Sequence, residues 1–266
     1  MTAETAITAT TTEVARFPHR DYGSMGRIGI AVPQANPTVE PEFSVLLPHG
    51  TSLLACRLAS REPDQHRRFV GYLENLPKTL ETYDTLRPDI IGFACTASSY
   101  LVGERRENEL VAQFEASFGA SIITGGQAIL EALRALGARR LAVLAPYPEF
   151  VVEAGGRYLA EAGFEIVSKL RITTRTSDTR TIYELSHRDA LAGTRELDLS
   201  RADCLLFTGT GMPSLPAIRA LGPSLGIPII STNLCLAWAL TRRLGLPVTA
   251  GPHPLLNGWQ ERIDGL

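Results

Sequence analysis

Cys95 is the residue of this chain best placed to do chemistry. It follows the apolar run IIGFA directly and is followed by Thr96, Ala97, Ser98 and Ser99. A thiol at a strand end, entering a helix, lies beside unpaired backbone N–H groups that stabilise a thiolate and can bind a carboxylate. Its pKa is therefore expected to be depressed, with Thr96 and Ser98 as neighbouring hydroxyl donors. The competing reading is a small core cysteine, the usual fate of that residue type. A second strand end decides for function. CLLF at Cys204–Phe207 leads into Thr208-Gly209-Thr210-Gly211, and Gly209 stands where Cys95 stands in the first segment.

A glycine-rich strand-to-helix turn can cradle an anion, and TGTGMPSL adds the hydroxyls of Thr208, Thr210 and Ser214 to Gly209 and Gly211. A dinucleotide is disfavoured, because Ser214 takes the third glycine position of G-x-G-x-x-G and no acidic residue suited to a ribose follows the next strand. Asn36, in VPQANPTVEPE, and Tyr147, in LAPYPEF, close matching strands and offer uncharged hydrogen bonds. A turn-forming Asn-Pro and an exposed loop Tyr are the plain alternatives. Asn233 reads as a ligand donor or as a helix N-cap. Cys56, Cys204 and Cys235 lie in apolar surroundings and read as core.

These positions all need strands that end together. Arg27–Pro33, Ile90–Ala94, Leu141–Ala145, Cys204–Phe207 and Pro228–Ile230 are short apolar runs, and Ala128–Leu136 and Leu236–Leu244 have helical spacing between or after them. Buried strands alternating with helices imply βαβ units and parallel sheets. The chain also echoes itself. RIGIAVP from Arg27 returns as RLAVLAP from Arg140, DIIGFACT from Asp89 as DCLLFTGT from Asp203, and ASIITGGQAILEAL from Ala120 as IPIISTNLCLAWAL from Ile227. Three echoes in one order, at nearly one offset, predict two related α/β lobes facing each other across a cleft. The first lobe is expected over 27–127 and the second over 128–234, with 235–266 free to pack back on the first. Ligands of open parallel sheets sit beyond the carboxyl ends of the strands, so the site is expected between the lobes.

Composition narrows the partners. The 266 residues are 44% hydrophobic and 20% charged, with a formal net charge of −2. That balance fits a globular protein and gives no electrostatic reason to expect nucleic acid or an anionic membrane. No apolar run approaches the roughly 18 residues that a spanning helix requires. Residues 1–26, rich in Ala and Thr at their start, read as a disordered tail rather than a targeting segment. Four cysteines without a C-x-x-C pair read as free thiols in a reducing, cytoplasmic compartment. The five histidines show no metal-ligand spacing, so no metal is expected. A homo-oligomer is neither required nor opposed.

Taken together, P-x-x-N-P-T-x-E-x-E from Pro33 to Glu42, the strand-end Cys95-Thr96 and LAPYPE around Tyr147 resemble the maleate cis–trans isomerases and arylmalonate decarboxylases of the aspartate/glutamate racemase superfamily. The resemblance runs from about Arg27 to Leu246. It implies two Rossmann-like lobes related by pseudo-two-fold symmetry, a small carboxylate substrate between them, and no cofactor. It also implies that Cys95 is the first-lobe catalytic cysteine, that Asn36 and Tyr147 bind carboxylate, and that an Asn is expected near Ser177–Thr179, where none stands. The second-lobe cysteine is replaced by Gly209. Arylmalonate decarboxylases also keep one cysteine, but in the other lobe. Racemisation needs an acid and a base on opposite faces of one carbon, so single-thiol chemistry is left: isomerisation of an unsaturated dicarboxylate, or decarboxylation of a substituted malonate with Cys95 as proton donor. A member of the fold that binds ligand without turnover is the third reading. Gly209→Cys is expected to return a second thiol to the opposite face.

Overall fold

The computed structural model describes residues 16–176, 178–248 and 251–265. Eight strands form two four-stranded parallel sheets of the same order. The first runs β2 (Thr51–Leu58), β1 (Gly26–Pro33), β3 (Ile90–Phe93), β4 (Ser121–Thr124). The second runs β6 (Glu165–Arg171), β5 (Arg140–Ala145), β7 (Cys204–Phe207), β8 (Ile229–Ser231). Ten α-helices join them: α1 (Val39–Leu46), α2 (Gln65–Glu74), α3 (Leu76–Leu80), α4 (Thr96–Val102), α5 (Glu104–Phe118), α6 (Gly125–Ala135), α7 (Glu149–Glu161), α8 (His187–Glu196), α9 (Leu215–Leu225) and α10 (Thr232–Arg243). This is the α/β architecture of paired lobes that the alternation of strands and helices predicts.

The internal echo survives as geometry. Asp89 exchanges hydrogen bonds with the main chain of Arg27, accepting from its N–H at 2.7 Å and donating to its carbonyl at 2.8 Å. Asp203 does the same with Arg140, at 3.0 and 2.7 Å. One step past each central pairing, Ala94 N–H donates to Ala31 O and Thr208 N–H donates to Leu144 O. Cys95 and Gly209 are therefore equivalent by register. Thr124 and Ser231 close the fourth strand of each sheet and cap the helices that follow, accepting from Gln127 N–H and Leu234 N–H.

Helix α10 is buried at every position from Thr232 to Thr241, as a helix enclosed between layers must be. It packs on α6, β3 and α1 as well as on β8. Helix α4 packs on α7 across the lobes and on α2 within its own. These two helices bring the strand ends together. Of the stretch read as a tail, residues 1–15 lie outside the described residues. Residues 16–25 are held in place: Arg20 pairs with Asp89 at 2.7 Å, and Met25 N–H donates to Gly50 O. Among the described residues no helix is long and apolar enough to cross a membrane.

Candidate active site

Cys95 sits at the N-terminus of α4 with extended backbone (φ −138°, ψ 92°) and is 3% exposed. The Ala97 and Ser98 amides and the Ser98 hydroxyl act to lower its thiol pKa. Burial raises the thiol pKa, and these donors, helped by the charge of Arg68, only partly offset it. The depressed pKa expected from a helix N-terminus is thus corrected: desolvation wins, and the resting thiol holds its proton. Ser98 cannot serve it fully in any case, because its hydroxyl donates to Phe69 O at 2.6 Å.

The cavity at Cys95 has a volume of about 30 Å³ and is bounded by both lobes. Asn36, Cys95, Tyr147, Thr210 and Gly211 all line it, and so does Thr179, from the stretch where the resemblance expects an Asn; Phe69 of α2, and Ile182 and Tyr183 of the 3-10 turn at Thr179–Glu184, were not foreseen from the sequence. Asn36 forms the expected turn and also reaches across the lobes. Its Oδ1 accepts from Thr38 N–H at 2.8 Å, a local turn, while Nδ2 donates across the lobes to Thr210 Oγ1 at 3.0 Å. That leaves one amide hydrogen for a ligand. Tyr147 is 7% exposed, so the exposed-loop alternative falls. Its pKa is raised well above the ordinary value, first by burial and then by the negative charge Cys95 would carry. It is a neutral donor.

Other expected donors are engaged by the protein itself. Thr96 bonds Thr232 Oγ1 at 3.2 Å and faces the Tyr147 hydroxyl. The Gly209 amide, expected to greet the ligand, donates instead to Thr232 Oγ1 at 3.0 Å. Thr210 donates to Ala94 O at 2.9 Å while accepting from Asn36, so its hydroxyl joins the lobes. Asn233 is not among the residues lining the Cys95 cavity and donates to Glu42 Oε2 at 2.7 Å and to Thr210 O at 3.2 Å.

Glu42 explains the anion cradle. The turn after β7 does lead into a helix N-terminus that binds a carboxylate, but the carboxylate is the protein's own. Glu42, from α1, accepts from Ser214 N–H, Leu215 N–H, the Ser214 hydroxyl and Asn233 Nδ2. Burial pushes its pKa up and these donors pull against it. The sequence held the signal: Val39, Glu42, Phe43 and Leu46 share the buried face of α1 at helical spacing.

Gly209 has φ +98°, and a Cβ there would stand 3.1 Å from the Tyr147 hydroxyl. Tyr147 and the left-handed turn thus occupy what a second-lobe side chain would need, so Gly209→Cys does not simply restore a missing thiol. Gly211 likewise lies under Tyr183, whose ring carbons would meet a Cβ at 2.8 Å. Of the remaining thiols, Cys204 and Cys235 are completely buried and Cys56 nearly so, with burial pushing Cys204 up to about 12. Among the described residues no three His, Cys, Asp or Glu side chains converge as a metal site would require.

The arrangement gives one buried thiol flanked by neutral donors in an enclosed space between lobes. Known proteins are similar to the chain over most of its length. The sequence pattern of the arylmalonate decarboxylase family matches residues 28–255. The maleate isomerase of Nocardia farcinica is 30% identical over 241 residues, covering 84% of this chain and 91% of that protein. The arylmalonate decarboxylase of Bordetella bronchiseptica is 24% identical over 239 residues, covering 85% and 93%. A solved structure of Nocardia farcinica maleate cis–trans isomerase, a cysteine-to-serine mutant with a covalently bound succinylcysteine intermediate, superposes with a TM-score of 0.75 at 26% identity, covering 86% of this chain and 96% of that one. By the extent of these matches and the shared two-lobe fold, the chain belongs to the arylmalonate decarboxylase family.

Proposed function

We propose that the chain is a cofactor-independent isomerase of a small unsaturated cis dicarboxylate, maleate being the simplest, with Cys95 as its covalent nucleophile. The observation that carries this reading is the single thiol in the inter-lobe cavity, set beside Asn36 and Tyr147 with a glycine opposite. After its proton passes to solvent, the Cys95 sulfur adds to one alkene carbon. The alkene electron pair moves onto the neighbouring carboxylate as an enediolate. The remaining carbon–carbon single bond turns, the pair returns, and the carbon–sulfur bond breaks to release the trans diacid and the thiolate. No oxidant and no second base is needed. The free N–H of Asn36 and the Tyr147 hydroxyl are the donors for the carboxylate on which the charge develops. For the Nocardia relative, the succinylcysteine of a mutant lacking one cysteine supports an adduct that does not need the replaced thiol.

Decarboxylation is the second reading, and the raised pKa of Cys95 favours it. A thiol protonated at rest suits a proton donor: a substituted malonate would lose carbon dioxide, leave its electron pair as an enediolate, and take the thiol proton on one face. Purified protein incubated with maleate and, separately, with phenylmalonate, without added cofactor, distinguishes the readings by proton NMR. Fumarate from maleate is the expected result. Phenylacetate in its place would transfer the assignment to decarboxylation, and no product from either would leave a ligand-binding member of the family.

A further inference from the structure

Arg68 is a guanidinium in an unusual place. It lies in the first turn of α2, on the same buried face as Phe69 and Tyr72, and is 9% exposed. The N-terminal turn of a helix disfavours a cation, and a buried cation is costly without a charged partner. Among the described residues Arg68 is in no ion pair. Its nitrogens donate only to neutral oxygens, Nη1 to Glu62 O at 3.3 Å and Nη2 to Thr179 Oγ1 at 2.9 Å. Its charge acts on the Asp178 carboxylate, whose pKa is lowered to about 2 chiefly by Arg180. Asp178 is committed to that neighbour, with both oxygens engaged by Arg180. Arg57, nearby, is likewise paired with Glu40.

What Arg68 faces is the site. Its charge acts on Cys95 and on Tyr72 and Tyr183, the tyrosines around the thiol. It lines a groove of about 270 Å³ that shares Phe69, Thr179 and Tyr183 with the Cys95 cavity. The inner cavity, at about 30 Å³, holds little more than water. A four-carbon diacid with its alkene at Cys95 must extend beyond it, and the groove is the adjoining space.

We infer that Arg68 binds the second carboxylate of the substrate and so makes this site selective for dianions. The inference rests on the proposed carboxylate-converting role of the Cys95 cavity. One carboxylate meets the neutral donors Asn36 and Tyr147. The other meets Arg68, whose fork replaces its bond to Thr179 with a charge-assisted pair. The substrate supplies the counter-ion that the fold withholds.

Succinate, a saturated diacid that cannot accept the thiolate, is the probe, with succinamate as its singly charged counterpart. Binding to the full chain is measured by calorimetry and by protection of Cys95 from iodoacetamide. Wild type should bind succinate about 10- to 100-fold more tightly than succinamate, the range of one charge-assisted hydrogen bond. Arg68→Met should bring the two within a few-fold of each other, and Arg68→Lys should restore part of the preference. Should Arg68→Met not fold, the wild-type ratio and its weakening by salt decide alone. Near-equal binding of the two by wild type, or a preference that survives Arg68→Met, overturns the inference. The proposed isomerase is judged separately. Maleate turnover with an unchanged KM in Arg68→Met sinks the role of Arg68 and keeps the isomerase, whereas Arg68-dependent succinate binding without turnover does the reverse.

Discussion

At the scale of single residues, Cys95 shows how two environments compete for one thiol. The helix amides lower its pKa and burial raises it, and burial is the larger effect. Thiolate chemistry at Cys95 should therefore grow with pH. A free-enzyme kcat/KM for maleate that rises through pH 8 to 9, without levelling below the ordinary cysteine value of about 8.5, is the expected profile. Alkylation of Cys95 in unliganded protein should follow the same curve. A plateau reached by about pH 7 would mean that the amides prevail over desolvation. The placement of Cys95 at a strand end and helix start was legible in the sequence because strand, cysteine and hydroxyl residues sit in one short run. Its protonation state was not, because desolvation depends on Phe69, Tyr147 and Tyr183, which arrive from three distant segments.

At the scale of elements, the strands at the sheet centres were readable, whereas β2 and β6 were not and β4 showed only through the echo of Pro228–Ile230. β1, β3, β5 and β7 are nearly continuous apolar runs because helices cover both faces. β2 and β6 lie at sheet edges, and their mixed burial gives TSLLACRL and EIVSKLR no clean pattern. Missing β2 also hid α2, and with it Arg68 and Phe69. Asn233 was misassigned for a related reason: a position at a helix start is visible in sequence, but the direction of its amide, toward Glu42, is set by the facing lobe. The turn after β7 carries its own test. Gly209→Ala must hold φ near +98° with a Cβ against Tyr147, which costs about 1–3 kcal/mol. A fall in Tm together with lower maleate turnover is expected, as Tyr147 is pushed from its place. Full stability would contradict the left-handed turn. Gly209→Cys should show the same loss, with no exchange of the α-hydrogen of a chiral acid.

At the scale of the whole molecule, the site exists because the two lobes are locked together by buried polar bonds. Asn36 to Thr210, Thr38 to Gly211, Tyr158 to Glu107, Tyr100 with Thr208 and the four donors around Glu42 all cross between them. Such groups are costly to leave unpaired, so they fix one relative placement of β3 and β7 and hold Cys95 opposite Gly209. The pseudo-symmetry could be read from the repeated RIGIAVP and DIIGFACT segments. The interface could not, since it is built from residues that differ between the repeats, such as Glu42 and Asn233, which bond each other across the join.

We propose that Cys95, alone among the four cysteines, forms and breaks a covalent bond to substrate. The most direct test is to quench wild-type protein with acid during turnover of maleate and to map the modified peptide by mass spectrometry. A succinyl adduct on Cys95 and on no other cysteine, absent when substrate is withheld and lost together with turnover in Cys95→Ala, is the predicted result. An adduct on Cys56, Cys204 or Cys235, or maleate turnover by Cys95→Ala at more than about a tenth of the wild-type rate, would contradict it.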